Sequence, residues 1–342
     1  MRAGAADGPA TAKRPTLDEG FARLDKNRDG KISRDEADTA NLQGFVQIDR
    51  NGDGSISRQE LGEFRVRRGI SDNGELITSD LEMVAVGDHK LQVLRAGQGS
   101  PVVIFESGAA DGDGIGRWRE MLPRISQITS VLCYSRAGRG GSELAKDLRT
   151  PEAITNDLHR LLESAGYKPP YVLVGASLGG IYARIFAMRY PMDMAGLVLI
   201  DPSHERVGFE LDRRAGRSDE DRAKRKRSSV DSLKKKKDVP SSEALGLVEL
   251  NWTGDASVYG TMANIPLVMI TSVKGYAEAK SESARQYFEV SRSVHSEVFK
   301  TSTLGMHIVT DKAPHAVYHE DPDLVINAVL WTIEMARKHP RR

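Results

Sequence analysis

The chain has 342 residues, of which 39% are hydrophobic and 28% charged, so it can bury a sizeable core and is not a disordered polymer. Its 49 Lys and Arg against 48 Asp and Glu leave a net charge of +1, which excludes a global basic field of the kind that nucleic acid selects. No stretch approaches the roughly 18 consecutive apolar residues of a membrane-spanning helix, and the single cysteine, Cys133, excludes an intrachain disulfide or a thiolate zinc cluster.

Residues 1–15 read as a loose tail, rich in Ala and Gly and without the apolar core of a secretory signal. Two compartments stay open: the cytoplasm, or a secreted or periplasmic location with the leader absent. Residues 16–70 are rich in Asp, Asn and Gly and hold a repeat. Asp25 to Glu36 and Asp49 to Glu60 both fit D-x-[DN]-x-[DN]-G-x5-E without a gap. Calcium, a hard cation, takes six to eight oxygens at about 2.3–2.6 Å, and this spacing arrays them around a sharp turn. Asp25, Asn27 and Asp29 supply side-chain oxygens, Lys31 its backbone carbonyl, and Glu36 closes the shell with two oxygens. Asp49, Asn51, Asp53, Ser55 and Glu60 repeat the scheme, with Ser33 and Ser57 able to act through water. Ile32 and Ile56 hold the position at which paired loops join as a short ribbon. The region resembles a small all-α EF-hand pair that binds Ca2+. Its loops start only 24 residues apart, so Ala37–Ile48 has room for two short helical pieces. That compactness favours calcium as a folding staple over a sensor that opens.

Residues 71–82 read as a polar linker with a turn at Asn73-Gly74. From Met83 onward the texture changes. Short apolar runs at 102–105, 131–134, 171–174, 196–200, 266–270 and 307–309 alternate with helical patterns at 151–165, 178–190 and 322–338. Continuous apolar runs bounded by turns predict strands buried on both faces. The alternation predicts an α/β domain over 83–342, with a mostly parallel sheet and helices on both faces.

Gly175-Ala-Ser177-Leu-Gly179 lies straight after one such strand and straight before a helix, the context a G-x-S-x-G nucleophile elbow needs. Small neighbours let the chain turn sharply and hold Ser177 Oγ at the top of the sheet. The Leu178 amide, at the helix start, can stabilise an oxyanion. Other landmarks stand in order: Glu106-Ser-Gly-Ala109 after a strand, Trp118 followed by Leu122-Pro123, and Tyr134 to Ser142 with its Arg and Gly spacing. Together they resemble the α/β-hydrolase family of serine esterase type, over about three quarters of the chain. The resemblance implies a first oxyanion amide at Ala109, with Ala110 as the alternative, and Ser107 stands where the family usually has His. It implies His315 as the base, because His319 and Pro322 follow it in the family's spacing, with His319 as the alternative; His307, inside a strand, reads as packed. No carboxylate follows strand 266–270 directly. Asp201, at the end of the preceding strand, is taken as the acid, which keeps the order Ser177, Asp201, His315; Glu278 or Glu282, or no acid of the usual kind, are the alternatives.

Residues 203–260 fall where such folds insert a lid. Within it, 213–237 carries twelve Lys and Arg against four Asp and Glu, a local charge of +8. Such a block usually makes a solvated face, and less often an anionic-surface patch. The expected activity is hydrolysis of a small or medium carboxylic ester through an acyl-enzyme. The competing reading is a calcium-dependent binding or sensor module whose hydrolase part is inactive.

Overall fold

The computed structural model describes residues 15–40, 42, 45–67, 81–109, 112–236, 239–251, 262 and 265–340. The tail, most of the linker with Asn73-Gly74, and Ala110 lie outside them. The chain divides into two units, Met1–Asp80 and Leu81–Arg342, close to the change of texture at Met83. Among the described residues no helix is long and apolar enough to cross a membrane.

In the first unit, helices α1 (Leu17–Leu24), α2 (Arg34–Thr39), α3 (Phe45–Ile48) and α4 (Arg58–Arg67) flank strands β1 (Lys31–Ser33) and β2 (Ser55–Ser57). Thr16 and Ser33 start α1 and α2 with capping boxes closed by Glu19 and Glu36. The strands pair antiparallel with Ile32 opposite Ile56, forming the short ribbon expected at these positions, so the unit is not purely all-α. Both isoleucines are fully buried with Leu17, Phe21, Phe45, Ile48, Leu61 and Phe64.

In the second unit eight described strands form one sheet in the order β10-β9-β8-β7-β5-β6-β4-β3. They are β3 (Leu81–Val86), β4 (His89–Ala96), β5 (Val102–Glu106), β6 (Val131–Tyr134), β7 (Tyr171–Ala176), β8 (Met194–Ile200), β9 (Leu267–Ser272) and β10 (Gly305–Thr310). From β5 to β10 all pairings are parallel, while β4 runs antiparallel to both β3 and β6. The β3–β4 hairpin turns on Gly87-Asp88, where Gly87 takes φ +67°, a conformation that costs glycine little.

The described helices of this unit are α5 (Leu122–Ile125), α6 (Pro151–Ser164), α7 (Leu178–Arg189), α8 (Arg206–Arg214), α9 (Asp219–Lys234), α10 (Val239–Asn251), α11 (Lys274–Ala277), α12 (Glu282–Phe299), α13 (Val317–Glu320) and α14 (Pro322–Lys338). One face of the sheet is covered by Leu158 and Leu161 of α6, Phe186 of α7 and Val290, Val294 and Val298 of α12. The other is covered by Leu122 and Ile125 of α5 and Val325, Ile326, Val329 and Ile333 of α14. Each such side chain contributes about 1.5–3 kcal/mol relative to exposure, so burial on both faces accounts for the unbroken apolar strands. Helices α8, α9 and α10 occupy the insertion between β8 and β9; six of the twelve basic residues of 213–237 lie on α9, which buries no residue.

Strand β5 has β6 on one side and β7 on the other, so the strand order reverses there. In open α/β sheets the crevice outside the carboxyl ends at such a reversal is where ligands bind.

Candidate active site

Ser177 follows the fully buried β7 and caps α7 with φ +50° and ψ −121°. A non-glycine residue held there stores about 1–3 kcal/mol of strain, which the surroundings must impose. Three close contacts impose it. A Cβ on Gly175 would lie 2.6 Å from the Gly179 carbonyl oxygen, one on Gly179 2.2 Å from the Glu106 oxygen, and one on Gly180 2.4 Å from Pro202 Cβ. The glycines therefore let the ends of β5 and β8 close around the turn. The Ser177 N–H donates to Ile200 O (3.1 Å), and its carbonyl accepts from Gly180 N (2.9 Å) and Ser203 N (2.8 Å). Ser203 Oγ sits 3.4 Å from Ser177 Oγ. Leu178 opens α7, so its amide is among those a helix start leaves for an outside acceptor.

Asp201 and His315 meet at the same edge. His315 Nδ1 lies 2.7 Å from Asp201 Oδ2, in the loop between β10 and α13. The His315 ring is 59% exposed and the Asp201 side chain 12% exposed, so the imidazole is open to solvent while the carboxylate is shielded. With a proton on Nδ1 directed at the carboxylate, Nε2 is left as the basic atom. Asp201 itself has φ +39°, and its other oxygen accepts from Ser272 N (3.1 Å). Ser272 Oγ donates to Ala313 O (2.7 Å), so one serine ties the Asp201 carboxylate to the loop that carries His315. Glu278 caps the end of α11 and Glu282 starts α12, while His319 lies on α13 with its ring 4.7 Å from Tyr318. The carboxylate at His315 is that of Asp201.

The segment Glu106–Ala109 leaves β5 beside Gly179. Ser107 is buried; its Oγ donates to Gly114 O (2.6 Å) and accepts from Trp118 Nε1 (2.7 Å). Arg136 donates to Ser107 O (2.6 Å) and Gly108 O (3.1 Å), and Arg139 to Ala109 O (2.8 Å). Arg136 also pairs with Glu106 at 2.6 Å, and Tyr134 donates to the same carboxylate. Burial pushes the Glu106 carboxyl up in spite of Arg136. The two arginines come from the stretch whose Gly spacing the sequence shares with the family, but their carbonyl contacts have no local signature.

Behind Asp201 runs a chain that sequence reasoning does not predict. His295 Nε2 is 2.7 Å from Pro202 O, so this nitrogen carries the proton. Its Nδ1 then accepts from Thr271 Oγ1 (3.0 Å), which in turn accepts from His307 Nε2 (2.9 Å). Burial lowers the pKa of His295 and of His307, and lowers that of His204 further. A cavity of about 600 Å³ opens beside the elbow, lined by Leu178, Ile181, Ser203, Val207, Leu211 and Leu247 among others.

In the first unit, the loop oxygens hold the turn together. Asp25 Oδ2 accepts from Gly30 N (3.0 Å) and Asp49 Oδ2 from Gly54 N (3.0 Å), with Gly30 and Gly54 at φ +86° and +83°. Asn27 Oδ1 accepts from Asp29 N (2.9 Å), Asp29 Oδ1 from Lys31 N (2.9 Å), and Asn51 and Asp53 repeat this toward Asp53 N and Ser55 N. Glu36 Oε1 reaches Lys26 N (2.8 Å), and its carboxyl is drawn down to about 2 by amides of Ser33 and Asn27. Glu60 reaches Arg50 N (3.0 Å) in the same way. Among the described residues no three His, Cys, Asp or Glu side chains cluster as a metal site. The donor set is nonetheless all oxygen, arranged about the two glycine turns, and fits a hard cation that would draw on amide and backbone oxygens as well.

The fold and this arrangement define an alpha/beta hydrolase architecture preceded by an EF-hand pair. Residues 100–242 match the family model for the alpha/beta hydrolase fold, and residues 17–36 and 42–64 match that for the EF hand. The second unit has the alpha/beta hydrolase fold, and over residues 100–242 the chain is similar to that family. It is 24% identical over 236 residues to YqjL, an uncharacterised protein of Bacillus subtilis (strain 168), covering 69% of this chain and 84% of that one. Among solved structures, it resembles a thermophilic esterase from Thermogutta terrifontis (TM-score 0.52, 19% identity, 75% of this chain and 99% of that one). It also resembles a proposed epoxide hydrolase from Pseudomonas aeruginosa (TM-score 0.57, 14% identity, 77% and 97%). At these identities the structural likeness speaks for the fold.

Proposed function

We propose that the chain is a serine hydrolase that cleaves carboxylic esters through an acyl-enzyme, with a calcium-binding EF-hand pair that stabilises its first unit. The observation that carries this reading is the 2.7 Å contact between His315 Nδ1 and Asp201 Oδ2 at the sheet edge where Ser177 is held at a strained φ of +50°.

His315 Nε2 takes the proton of Ser177 Oγ as that oxygen attacks the ester carbonyl, and Asp201 stabilises the imidazolium that forms. The amides of Leu178 and Ala109 receive the developing oxyanion. The tetrahedral adduct collapses, His315 returns the proton to the alcohol, and the acyl group stays on Ser177. Water, deprotonated by His315, then attacks the acyl-enzyme, releasing the acid and restoring Ser177. The chemistry of the nucleophile favours an ester over an epoxide: a serine that opened an epoxide would be left as an ether, which the same water cannot hydrolyse. The cavity lining is mixed, apolar at Leu178, Ile181, Val207 and Leu247 and charged at Asp212, Arg217 and Arg225, and the apolar part suits a small or medium acyl or alcohol group.

Calcium, when bound, would draw on Asp25, Asn27, Asp29, Glu36 and the Lys31 carbonyl in one loop and on Asp49, Asn51, Asp53, Glu60 and the Ser55 carbonyl in the other. Hydrolysis of p-nitrophenyl acetate tests the catalytic reading. The wild type turns it over, and Ser177→Ala loses about 10⁶-fold in kcat if the residues act as a unit. Equal rates for the two proteins would leave a binding module with an inactive hydrolase fold.

A further inference from the structure

Helix α10 belongs to the insertion between β8 and β9, yet it is locked into the catalytic scaffold. Glu243, 1% exposed, accepts from Arg136 Nε (2.9 Å) and Nη2 (3.2 Å), and from Arg139 Nε (3.0 Å) and Nη2 (2.7 Å). Burial pushes its carboxyl up, but the two guanidiniums outweigh that and hold it near 2. The helix around it is seated closely. A Cβ on Gly246 would lie 2.4 Å from Arg149 O, Ser242 Oγ accepts from Arg149 N (3.3 Å), and Leu247 packs with Ile154, Ile181, Tyr182 and Ile185.

The same two arginines grip the carbonyls of Ser107, Gly108 and Ala109. A trans peptide is planar, and its C=O and N–H point in opposite directions. Arg136 therefore sets the direction of the Ala109 N–H by holding the Gly108 oxygen at the other end of the same peptide plane. Glu243 sets where Arg136 and Arg139 lie, and it neutralises them together with Glu106.

We infer that Glu243 is a positioning residue for the oxyanion-binding amide of Ala109, acting through Arg136 and Arg139. The inference rests on the ester-hydrolase reading and deepens it. The insertion thus supplies part of the oxyanion site's support, and α10 is a fixed brace. Removing the Glu243 charge leaves two buried guanidiniums facing the single carboxylate of Glu106. They turn toward it, release the carbonyls, and free the Ala109 peptide to rotate.

The test uses the full chain carrying Glu243→Gln, which keeps the shape, and Glu243→Asp, which keeps the charge with a shorter reach. Active sites are titrated by the burst of p-nitrophenol, so that kcat is read per competent site. A trifluoromethyl ketone, whose adduct on Ser177 carries an oxyanion, is the second probe. For Glu243→Gln we expect kcat per titrated site to fall about 10–100-fold, a part of what losing an oxyanion donor outright costs. KM should stay within about twofold, ketone affinity should fall in parallel with kcat, and Glu243→Asp should recover part of both. If Glu243→Gln does not fold, Glu243→Asp is read by the same criteria. A merely structural role would lower the burst or the melting temperature and leave kcat per site and ketone affinity unchanged; that result overturns the inference. Absence of ester turnover by the wild type would overturn the function itself, and is seen before any variant is made.

Discussion

Adding a single methyl group at Gly179 should separate the two surfaces that build the site. In Gly179→Ala the new Cβ would stand 2.2 Å from Glu106 O, 2.7 Å from Glu106 C and 2.8 Å from Ser107 O. An unstrained carbon–oxygen contact needs roughly 3.2 Å or more, so the elbow and the segment after β5 must part by about 1 Å. Neither side can yield cheaply: α7 begins at Leu178, and the Ser107 carbonyl is held by Arg136. Overpacking of this kind costs about 1–3 kcal/mol of stability. Activity should suffer more, because a displacement of about 1 Å between nucleophile and oxyanion donors is worth roughly 10²-fold in rate. Thermal melting followed by circular dichroism reads the first effect, and kcat per titrated site on p-nitrophenyl butyrate the second. A variant that melts lower yet keeps kcat within threefold would show that the Glu106–Ala109 segment is not part of the oxyanion site.

Three further outcomes are expected. Asp201→Asn should lower kcat by about 10³–10⁴-fold with little change in KM, because an amide at Oδ2 can no longer hold the Nδ1 tautomer of His315; steady-state kinetics read this, and a loss below tenfold would point to another acid. Chelation with EGTA should lower the melting temperature and change kcat less than twofold; calcium at 100-fold over its Kd adds about 2.7 kcal/mol, and Glu36→Gln with Glu60→Gln should abolish the shift. Stability should also fall as pH drops below about 6.5. Burial holds His204 and His295 neutral in the folded chain, below the ordinary histidine value of 6.5. Below that pH the unfolded chain binds the extra protons, so the contribution is complete above 6.5 and is lost toward lower pH. Melting curves between pH 5 and 8 check the slope, and His295→Gln should make it shallower.

The parts of this protein written locally could be read from sequence. Each EF-hand loop keeps its oxygen-bearing side chains and its turn glycine within twelve consecutive residues, and the elbow keeps Ser177 between Gly175 and Gly179. The pairing of Asp201 with His315 is less legible, because the two are 114 residues apart and only the parallel pairing of β8, β9 and β10 brings their loops together. Ser272, the last residue of β9, fastens Asp201 and Ala313. Glu243 could not be anticipated: its partners lie 107 and 104 residues away, and nothing in α10 distinguishes it from a solvent-facing glutamate. Helix α12 does carry a local signal, with Val290, Val294 and Val298 spaced by four residues on its buried face. The β3–β4 hairpin was also legible in principle, since Gly87-Asp88 separates two alternating runs.

The proposed ester hydrolysis stands or falls with Ser177 as the activated nucleophile. The decisive experiment is to incubate the full chain with a fluorophosphonate and locate the adduct by peptide mass spectrometry. One phosphonyl group per chain is expected, on the peptide containing Ser177, with a much slower reaction in His315→Ala. An unlabelled Ser177, or a label on Ser203 in its place, would contradict it.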